Sequence, residues 1–347
     1  MVGLAGCGFP RPADVGGEGG VDGAPTDSPP VDSLPMDVQS QVAPSCIGLP
    51  MTCGAHHNDS CCSSPEIPGG PYYRSYDASG GPGFGDMSNP AFVSSFRLDK
   101  YEVTVGRFRM FVQAGMGTQA NPPLVNAGAH PHIVGSGWQT RWNTILAADT
   151  TALIAEVKCP GLSTSLHTWS DQQSGENDNQ PMNCVKWHEA IAFCAWDGGY
   201  LPTEAEWNYA SAGGDEQRAY PWSTPASSLA LDPSRASYFD GAGCLADGLP
   251  GCTVSDLIAV GTKPAGDGRW GQSDLGGNVA EWTLDTWADS YVVPCTDCTV
   301  LTEDYSRTVR GGGIFNSEVA YLRGGFRWNS SGDEGNIDIG FRCARSQ

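Results

Sequence analysis

Three short motifs in the second half of the 347-residue chain restrict its fold more than any other feature. They are Leu-Pro-Thr-Glu-Ala-Glu-Trp at 201–207, Asp-Leu-Gly-Gly-Asn-Val-Ala-Glu-Trp at 274–282 and Arg-Gly-Gly-Gly-Ile-Phe-Asn at 310–316. In the first motif Thr203 can cap a helix, with Glu206 three residues later as the return half of a capping box. The other two are rich in glycine, which predicts tight turns between short elements.

The composition predicts a loop-rich fold and limits the partners. Glycine occurs 46 times and aromatic residues make up 10% of the chain, which is typical of a loop-rich domain built around tryptophan and tyrosine. The formal net charge is -20 at pH 7. This charge repels phosphate backbones, so we expect no nucleic-acid partner, whereas it suits calcium.

The chain contains thirteen cysteines, which indicates an oxidising compartment. One of them, Cys7, ends a Leu-Ala-Gly-Cys segment that resembles the lipobox of bacterial lipoproteins; a chance match is the alternative. Residues 1–7 are therefore interpreted as the remnant of a signal region, and an extracytoplasmic location is predicted, as an outer-membrane lipoprotein or a secreted protein. No stretch of 18 apolar residues occurs, so a lipid on Cys7 is the only predicted membrane contact.

Two segments separate Cys7 from the main domain. Residues 8–45 are rich in glycine, proline, aspartate and serine and predict a disordered tether. Residues 46–67 form a cysteine-rich segment that also holds two histidines, which suits a disulfide knot or, as the alternative, a zinc site. The connectivity of these cysteines stays open. They are Cys46, Cys53, Cys61 and Cys62.

The domain from residue 68 to 347 contains several predicted elements. Phe92 to Tyr101 has strand character, Thr104 is a plausible helix cap, and a further helix is predicted over Trp187 to Trp196. His130 and His132 alternate in a long polar stretch, either as metal ligands on one strand face or as two loop histidines.

Taken in order, eight motifs give the chain its resemblance to a known family. Besides the three above, they are Tyr-Glu-Val-Thr at 101–104, Pro-Met-Asn-Cys-Val-Lys-Trp at 181–187, Phe-Cys-Ala-Trp at 193–196, Tyr-Pro-Trp at 220–222 and Gly-Phe-Arg-Cys at 340–343. The chain resembles the formylglycine-generating enzyme, or sulfatase-modifying factor, family over residues 68 to 345. The resemblance implies an α+β formylglycine-generating-enzyme fold, related to C-type lectins, with little regular secondary structure and many loops.

The resemblance also implies a calcium site and a disulfide. Calcium would be held by the side chains of Asp274 and Glu281 and by the carbonyls of Gly277 and Val279, because calcium prefers six to eight oxygen ligands. In the alternative, Asp274 caps a turn and Glu281 pairs with an arginine. Cys194 and Cys343 match a disulfide of some family members, with two buried free thiols as the alternative. Two local pairs are also expected: Cys244 with Cys252, and Cys295 with Cys298.

This sequence departs from the family at the two positions that carry out its chemistry. The family oxidises a substrate cysteine with molecular oxygen, using two cysteines that bind copper(I), since soft thiolates select that ion. Here those positions are Asn316 and Tyr321, and residues 311 to 342 contain no cysteine, so copper-thiolate chemistry is not expected. The same segment is a candidate ligand groove. Its candidate residues are Asn316, Glu318, Tyr321, Arg323, Arg327 and Trp328.

Two classes of function follow. The first is an exported, calcium-stabilised domain that binds a peptide, glycan or protein ligand without copper-dependent oxidation. The second is an oxidoreductase of the same fold, using non-haem iron or a displaced cysteine pair such as Cys295 and Cys298, including sulfatase maturation. Iron needs a cluster of histidines and carboxylates. The histidines available in the domain are His130, His132, His167 and His188.

Overall fold

Four α-helices occur in the described residues, and the sequence accounts for where they begin. In α1, Thr104 Oγ1 accepts a hydrogen bond from Arg107 N at 3.2 Å, as a cap should. In α4, Thr203 and Glu206 form the predicted capping box, and the helix ends at Gly213 with a positive φ of 64°. The helices are α1 (Val105–Gln113), α2 (Thr150–Glu156), α3 (Trp187–Trp196) and α4 (Glu204–Ala212).

The computed structural model describes residues 42–161, 166–172, 177–244, 246, 249, 251–316 and 318–347. Cys7 and residues 8–41 of the predicted tether lie outside these ranges. Within them, no helix has the length and apolar character needed to cross a membrane.

Ten short strands form three small sheets in the described residues. Their orders are β1-β4-β10, β2-β3-β6 and β8-β7-β5-β9. The third sheet joins the end of the second motif to the start of the third, because β5 begins at Ala280, β7 ends at Arg310, and the two strands pair antiparallel. β5 also pairs parallel with β9. The strands are β1 (Glu66–Ile67), β2 (Gly70–Tyr73), β3 (Pro90–Val93), β4 (Phe96–Leu98), β5 (Ala280–Thr286), β6 (Cys295–Thr296), β7 (Ser306–Arg310), β8 (Trp328–Ser331), β9 (Ile339–Gly340) and β10 (Ala344–Arg345).

The single strand predicted over Phe92 to Tyr101 is wrong in two respects: it is interrupted at Ser94 and Ser95, and it ends at Leu98. The Asp297 carboxylate accepts hydrogen bonds from Ser94 N at 2.7 Å and Ser94 Oγ at 2.6 Å, and Ser95 Oγ accepts one from Gly69 N. These side-chain bonds replace ladder bonds, so the chain leaves one sheet as β3 and enters another as β4.

The main core consists of aromatic rings between α1, α3 and the third sheet. Phe108 of α1 stacks on Phe193 of α3 with ring centroids 5.8 Å apart, and Phe341 meets both rings edge-on. Trp187 and Trp282 are fully buried in the same cluster. Aromatic packing therefore supplies the apolar area that a loop-rich chain of modest hydrophobic content needs.

Six disulfides use every cysteine of the described residues. Cys194 of α3 is bonded to Cys343 inside the main core, with a sequence separation of 149. The cysteine-rich segment forms a two-bond knot, and Cys159 joins Cys184, a pair that the sequence did not suggest because a long polar stretch separates the two. The six bonds are Cys46–Cys62, Cys53–Cys61, Cys159–Cys184, Cys194–Cys343, Cys244–Cys252 and Cys295–Cys298.

The packed region begins before the cysteine-rich segment. Pro44–Cys46 forms a turn of 3₁₀-helix in which Ser45 is fully buried. Ser45 N donates to Asp197 Oδ1 at 2.9 Å, and Ser45 Oγ accepts from Arg107 Nε at 3.0 Å. Arg107 itself forms buried ion pairs with Asp99 and Asp197, so this turn is tied into a charged network.

One buried carboxyl group near the third motif has no cationic partner in the described residues. Asp338 directly precedes β9 and accepts a hydrogen bond from Phe315 N at 3.1 Å. Burial raises the pKa of Asp338 to about 7, and the Phe315 N–H offsets only part of this shift. The fold therefore favours the protonated side chain.

Replacing this aspartate by asparagine should change how stability depends on pH. A raised folded-state pKa contributes stability that is fully present below about pH 4 and is lost as the pH rises through about 7. Asp338→Asn keeps an acceptor for Phe315 N without the charge, so it should gain about 4 kcal/mol relative to wild type between pH 4 and pH 8. Urea unfolding across that range measures this, and parallel curves for the two proteins would contradict the prediction.

Candidate functional site

The three motifs meet around Glu281. Arg342 donates hydrogen bonds to both oxygens of this carboxylate, from Nε to Oε2 at 2.8 Å and from Nη2 to Oε1 at 2.7 Å. Trp207 Nε1, from the first motif, donates to Oε2 at 2.9 Å. In the sheet, Glu281 is directly opposite Arg310, the first residue of the third motif. All four side chains are fully buried. The carboxylate links the first and second motifs to the Gly-Phe-Arg-Cys segment, and the backbone pairing of β5 with β7 brings the third motif alongside.

The glycine-rich loop before β5 is shaped by side-chain bonds. Asp274 and Asn278 both have positive φ, 59° and 63°, conformations that Asn and Asp tolerate better than most residues. Asp274 Oδ2 accepts from Gly261 N at 2.6 Å. The two oxygens of Glu102 accept from Asn278 Nδ2 at 2.7 Å and Val279 N at 3.1 Å.

The predicted calcium ligands fit a calcium ion only in part. Glu281 is saturated by Arg342 and Trp207, which is the arginine pairing posed as the alternative, so Glu281 does not fit as a calcium ligand in this arrangement. Asp274 does fit, because its Oδ1 accepts no hydrogen bond from the described residues. Burial raises the pKa of Asp274 to about 6 and that of Glu102 well above its ordinary value.

Arg310 holds the chain that follows the third motif. Its Nη1 donates to the carbonyls of Gly324 at 2.9 Å and Phe326 at 3.0 Å, and its Nη2 donates to Glu204 at 2.7 Å. Burial opposes ionisation of Glu204, but Arg310 and Arg327 keep its pKa below the ordinary value. The pair Arg310–Glu204 therefore ties the start of α4 to the predicted groove segment.

The side chains at the two positions that the resemblance assigns to thiolates make contacts within the protein. Asn316 Oδ1 accepts a hydrogen bond from Gly313 N at 2.6 Å and closes the turn at the end of the motif. Tyr321 packs against Phe326, with ring centroids 4.3 Å apart, and edge-on against Trp328 at 6.1 Å. A Cβ on Gly313 would lie 2.1 Å from Asp338 Oδ1, so glycine is required here by that carboxyl group.

The structure separates the remaining groove candidates into two sets. Glu318 is exposed, and Trp328 lies beside Tyr321, with an indole N–H that has no partner in the described residues. Arg323 is instead buried against Asp77 and the Phe84 ring, and Arg327 pairs with Glu204 through Nε at 2.6 Å. The arginines therefore stabilise the fold. Asn316, Glu318, Tyr321 and Trp328 are the candidates left for ligand contact.

The histidines do not form a metal site in the described residues. His130 Nε2 lies 3.1 Å from Glu206 Oε1, and His130 Nδ1 accepts from His132 N, which identifies His130 as a loop histidine in the protein's own hydrogen bonds. Burial lowers the pKa of His188 to about 3. No group of three or more His, Cys, Asp or Glu side chains with metal-binding geometry occurs in these parts of the chain.

Sequence reasoning missed Glu102, Glu204 and Arg342 as site residues. A signal for two of them was present, because Glu102 and Arg342 are single charged residues inside otherwise apolar motifs, and a buried charge needs a partner. Glu204 carried no such signal, since a glutamate in the first turn of a helix is common on helix-dipole grounds alone.

Comparisons with known proteins agree with the resemblance. Residues 55–347 match the sulfatase-modifying factor enzyme 1-like domain family. The formylglycine-generating enzyme of Mus musculus is 28% identical over 263 residues, which is 73% of this chain and 66% of that enzyme. The inactive C-alpha-formylglycine-generating enzyme 2 of Mus musculus is 27% identical over 300 residues, covering 81% and 85% of the two chains. Hercynine oxygenase of Mycolicibacterium smegmatis is 28% identical over 262 residues, 71% of this chain and 53% of the oxygenase.

A solved structure gives the same answer for the fold. PvdO from Pseudomonas aeruginosa superposes with a TM-score of 0.53 at 20% identity, covering 81% of this chain and 93% of PvdO. At that identity the likeness concerns the fold alone. With the family match extending from residue 55 to the last residue, the chain belongs to the formylglycine-generating enzyme, or sulfatase-modifying factor, family.

Proposed function

We propose that this protein is an exported, ligand-binding member of its family that lacks copper-dependent formylglycine generation. One observation carries the proposal: all twelve cysteines of the described residues are in disulfides, and the family's two thiolate positions are Asn316 and Tyr321. A copper(I)-thiolate centre at the family's site needs thiolates at those two positions, and Asn316 and Tyr321 do not supply them. Export and a lipid on Cys7 are part of the proposal, supported by the number of disulfides.

The surface around Tyr321 suits a peptide. Tyr321 and Trp328 present neighbouring rings that are only partly buried, and an exposed carboxylate, Glu318, lies at one side. Tyrosine and tryptophan are the residue types that most often dominate binding energy at interfaces. With a net charge of -20, the protein attracts a positively charged partner over long range. The proposed ligand is therefore a peptide segment with net positive charge.

Removing either ring should weaken this binding. Peptides selected from a displayed library of short random sequences with wild-type protein should be enriched in lysine and arginine. Their affinity should fall about tenfold or more in Tyr321→Ala and in Trp328→Ala, because each change removes a large aromatic contact. Fluorescence polarisation of a labelled selected peptide measures the affinity.

Tyr305→Ala is the matched control for that experiment. Tyr305 is an exposed aromatic residue, 67% accessible, at the opposite end of the β7–β8 pair from Trp328. The proposal fails if no peptide is enriched, or if the control variant weakens binding as much as the two test variants.

We also propose that calcium stabilises the loop at 274–281, with Asp274 and the carbonyls of Gly277 and Val279 as its ligands. The support is the local charge. Four carboxyl groups, Glu102, Asp267, Asp274 and Glu281, interact electrostatically around the loop, against three cations, Arg342, Lys263 and Lys100. A bound divalent cation would balance this excess of acid, and oxygen donors are the ligands that calcium prefers.

Chelation should therefore lower the melting temperature. A ligand at one hundred times its Kd stabilises a folded protein by about 2.7 kcal/mol, which corresponds to a shift of about 5 °C for a domain of this size. Differential scanning fluorimetry with calcium and with EDTA measures the shift. It should vanish in Asp274→Ala and persist in Glu318→Ala, and equal melting temperatures for wild type in both buffers would refute the calcium proposal.

A further inference from the structure

The Cys295–Cys298 disulfide lies against a buried arginine that has no acidic partner. Arg74 Nη1 donates a hydrogen bond to Cys298 Sγ at 3.4 Å, and Nη2 donates to Val292 O at 2.5 Å. Arg74 is 4% exposed, its Nε has no partner in the described residues, and its guanidinium forms no ion pair with any carboxylate there. A buried cation without an anion is an unusual arrangement, because buried charges are normally paired.

Among the disulfides of the described residues, this is the one whose sulfur accepts a hydrogen bond from a guanidinium. The remaining charged group of the loop is Asp297, and its carboxylate is already bound by the N–H and the hydroxyl of Ser94. The Tyr291 ring covers Arg74 at 4.3 Å on one face. Arg74 is thus directed at sulfur and held there by its neighbours.

The two cysteines differ in exposure. Cys295 is 3% exposed, whereas Cys298 is only partly buried. The bond spans a sequence separation of 3, against 149 for Cys194–Cys343. Closing so short a loop removes less entropy from the unfolded chain than any of the other five bonds, so a purely structural role is weakest at this bond.

We propose that Cys295–Cys298 is a redox-active disulfide that oxidises dithiols by thiol–disulfide exchange, with Arg74 stabilising the thiolate of Cys298. A substrate thiolate attacks the sulfur of Cys298, the more exposed of the two cysteines; the Cys295–Cys298 bond breaks, and Cys295 leaves and takes up a proton. The second substrate thiol, after losing its proton, attacks its partner sulfur in the mixed disulfide and expels Cys298 as a thiolate beside Arg74. The substrate loses two electrons and becomes a disulfide, and the protein pair gains those two electrons.

A guanidinium paired with the departing thiolate makes the reduced form more stable, and therefore makes the disulfide a stronger oxidant. The chain supplies a matched comparison in Cys244–Cys252. That bond is also local, with a sequence separation of 8, but Cys244 Sγ lies 3.1 Å from the carbonyl oxygen of Ile314 and contacts no guanidinium.

Equilibration with glutathione tests the proposal. The purified full chain is held in buffers of graded reduced-to-oxidised glutathione ratio, free thiols are trapped with a maleimide, and each cysteine is mapped by mass spectrometry. Cys295 and Cys298 should become reduced at a ratio at least a hundredfold less reducing than the one that reduces Cys244 and Cys252. Reduction of both pairs at the same ratio would overturn the proposal, and this comparison needs no variant.

Variants of Arg74 test whether this residue is the cause of the easier reduction of Cys295–Cys298. Arg74→Gln should move the midpoint of Cys295–Cys298 at least tenfold toward the more reducing side, equivalent to about 30 mV, while Arg74→Lys should shift it less. A reduced peptide with two cysteines should be oxidised stoichiometrically by wild type and by the Cys244→Ala, Cys252→Ala double variant, but not by Cys298→Ala. An unchanged midpoint in a folded Arg74→Gln protein, or peptide oxidation by Cys298→Ala, would contradict the assigned roles.

Discussion

Arg342 and Glu281 form a fully buried ion pair on which the relative placement of the three motifs depends. Taking two charges out of water is costly, and the pair is tolerated because both carboxylate oxygens are saturated and Arg342 also donates to the carbonyls of Lys100 and Ser273. Removing one partner would leave the other charged and buried, which typically destabilises a protein by about 3–5 kcal/mol. The same carboxylate positions α4 through Trp207, and the backbone pairing of β5 with β7 places Arg310 opposite Glu281.

This arrangement explains how the family's scaffold is kept while the two thiolate positions hold other residues. Arg310 anchors the segment after the third motif through the Gly324 and Phe326 carbonyls and through Glu204, and none of these contacts involves the thiolate positions. Asn316 closes the turn with its own side chain, and Tyr321 joins an aromatic cluster. The contacts of Arg310 are therefore independent of the thiolate positions, so the residues at those positions can differ while this anchor is kept.

Much of the fold was predictable from local rules. Thr203 and Glu206 formed the expected capping box, because a helix cap depends on neighbouring residues. The order of the motifs was enough to recognise the family. Contacts between distant residues were not predictable in the same way. Asp297 interrupts the strand predicted over Phe92 to Tyr101 from about two hundred positions away, a distance over which sequence patterns carry little information. The relation to C-type lectins stays a prediction.

In the candidate site, too, local features were predictable from the sequence and long-range contacts were not. Asn316 and Tyr321 could be identified from their spacing after Arg310. Only the structure shows that Arg323 is paired with Asp77 and Arg327 with Glu204. Only the structure shows, too, that Arg74 donates a hydrogen bond to a disulfide sulfur. Long charged side chains reach partners that sequence spacing does not reveal. Whether a charged residue of a motif is available for catalysis therefore depends on whether it already forms an ion pair within the fold.

The central claim is that this family member does not generate formylglycine, and one measurement tests it directly. The purified protein is incubated with copper, oxygen, a thiol reductant and a peptide containing Cys-x-Pro-x-Arg, and the peptide is analysed by mass spectrometry. The formylglycine-generating enzyme of Streptomyces coelicolor, a relative 28% identical over 262 residues, serves as the comparison under the same conditions. The account predicts that the peptide's cysteine is never converted to an aldehyde, and any copper-dependent conversion above the protein-free blank would contradict it.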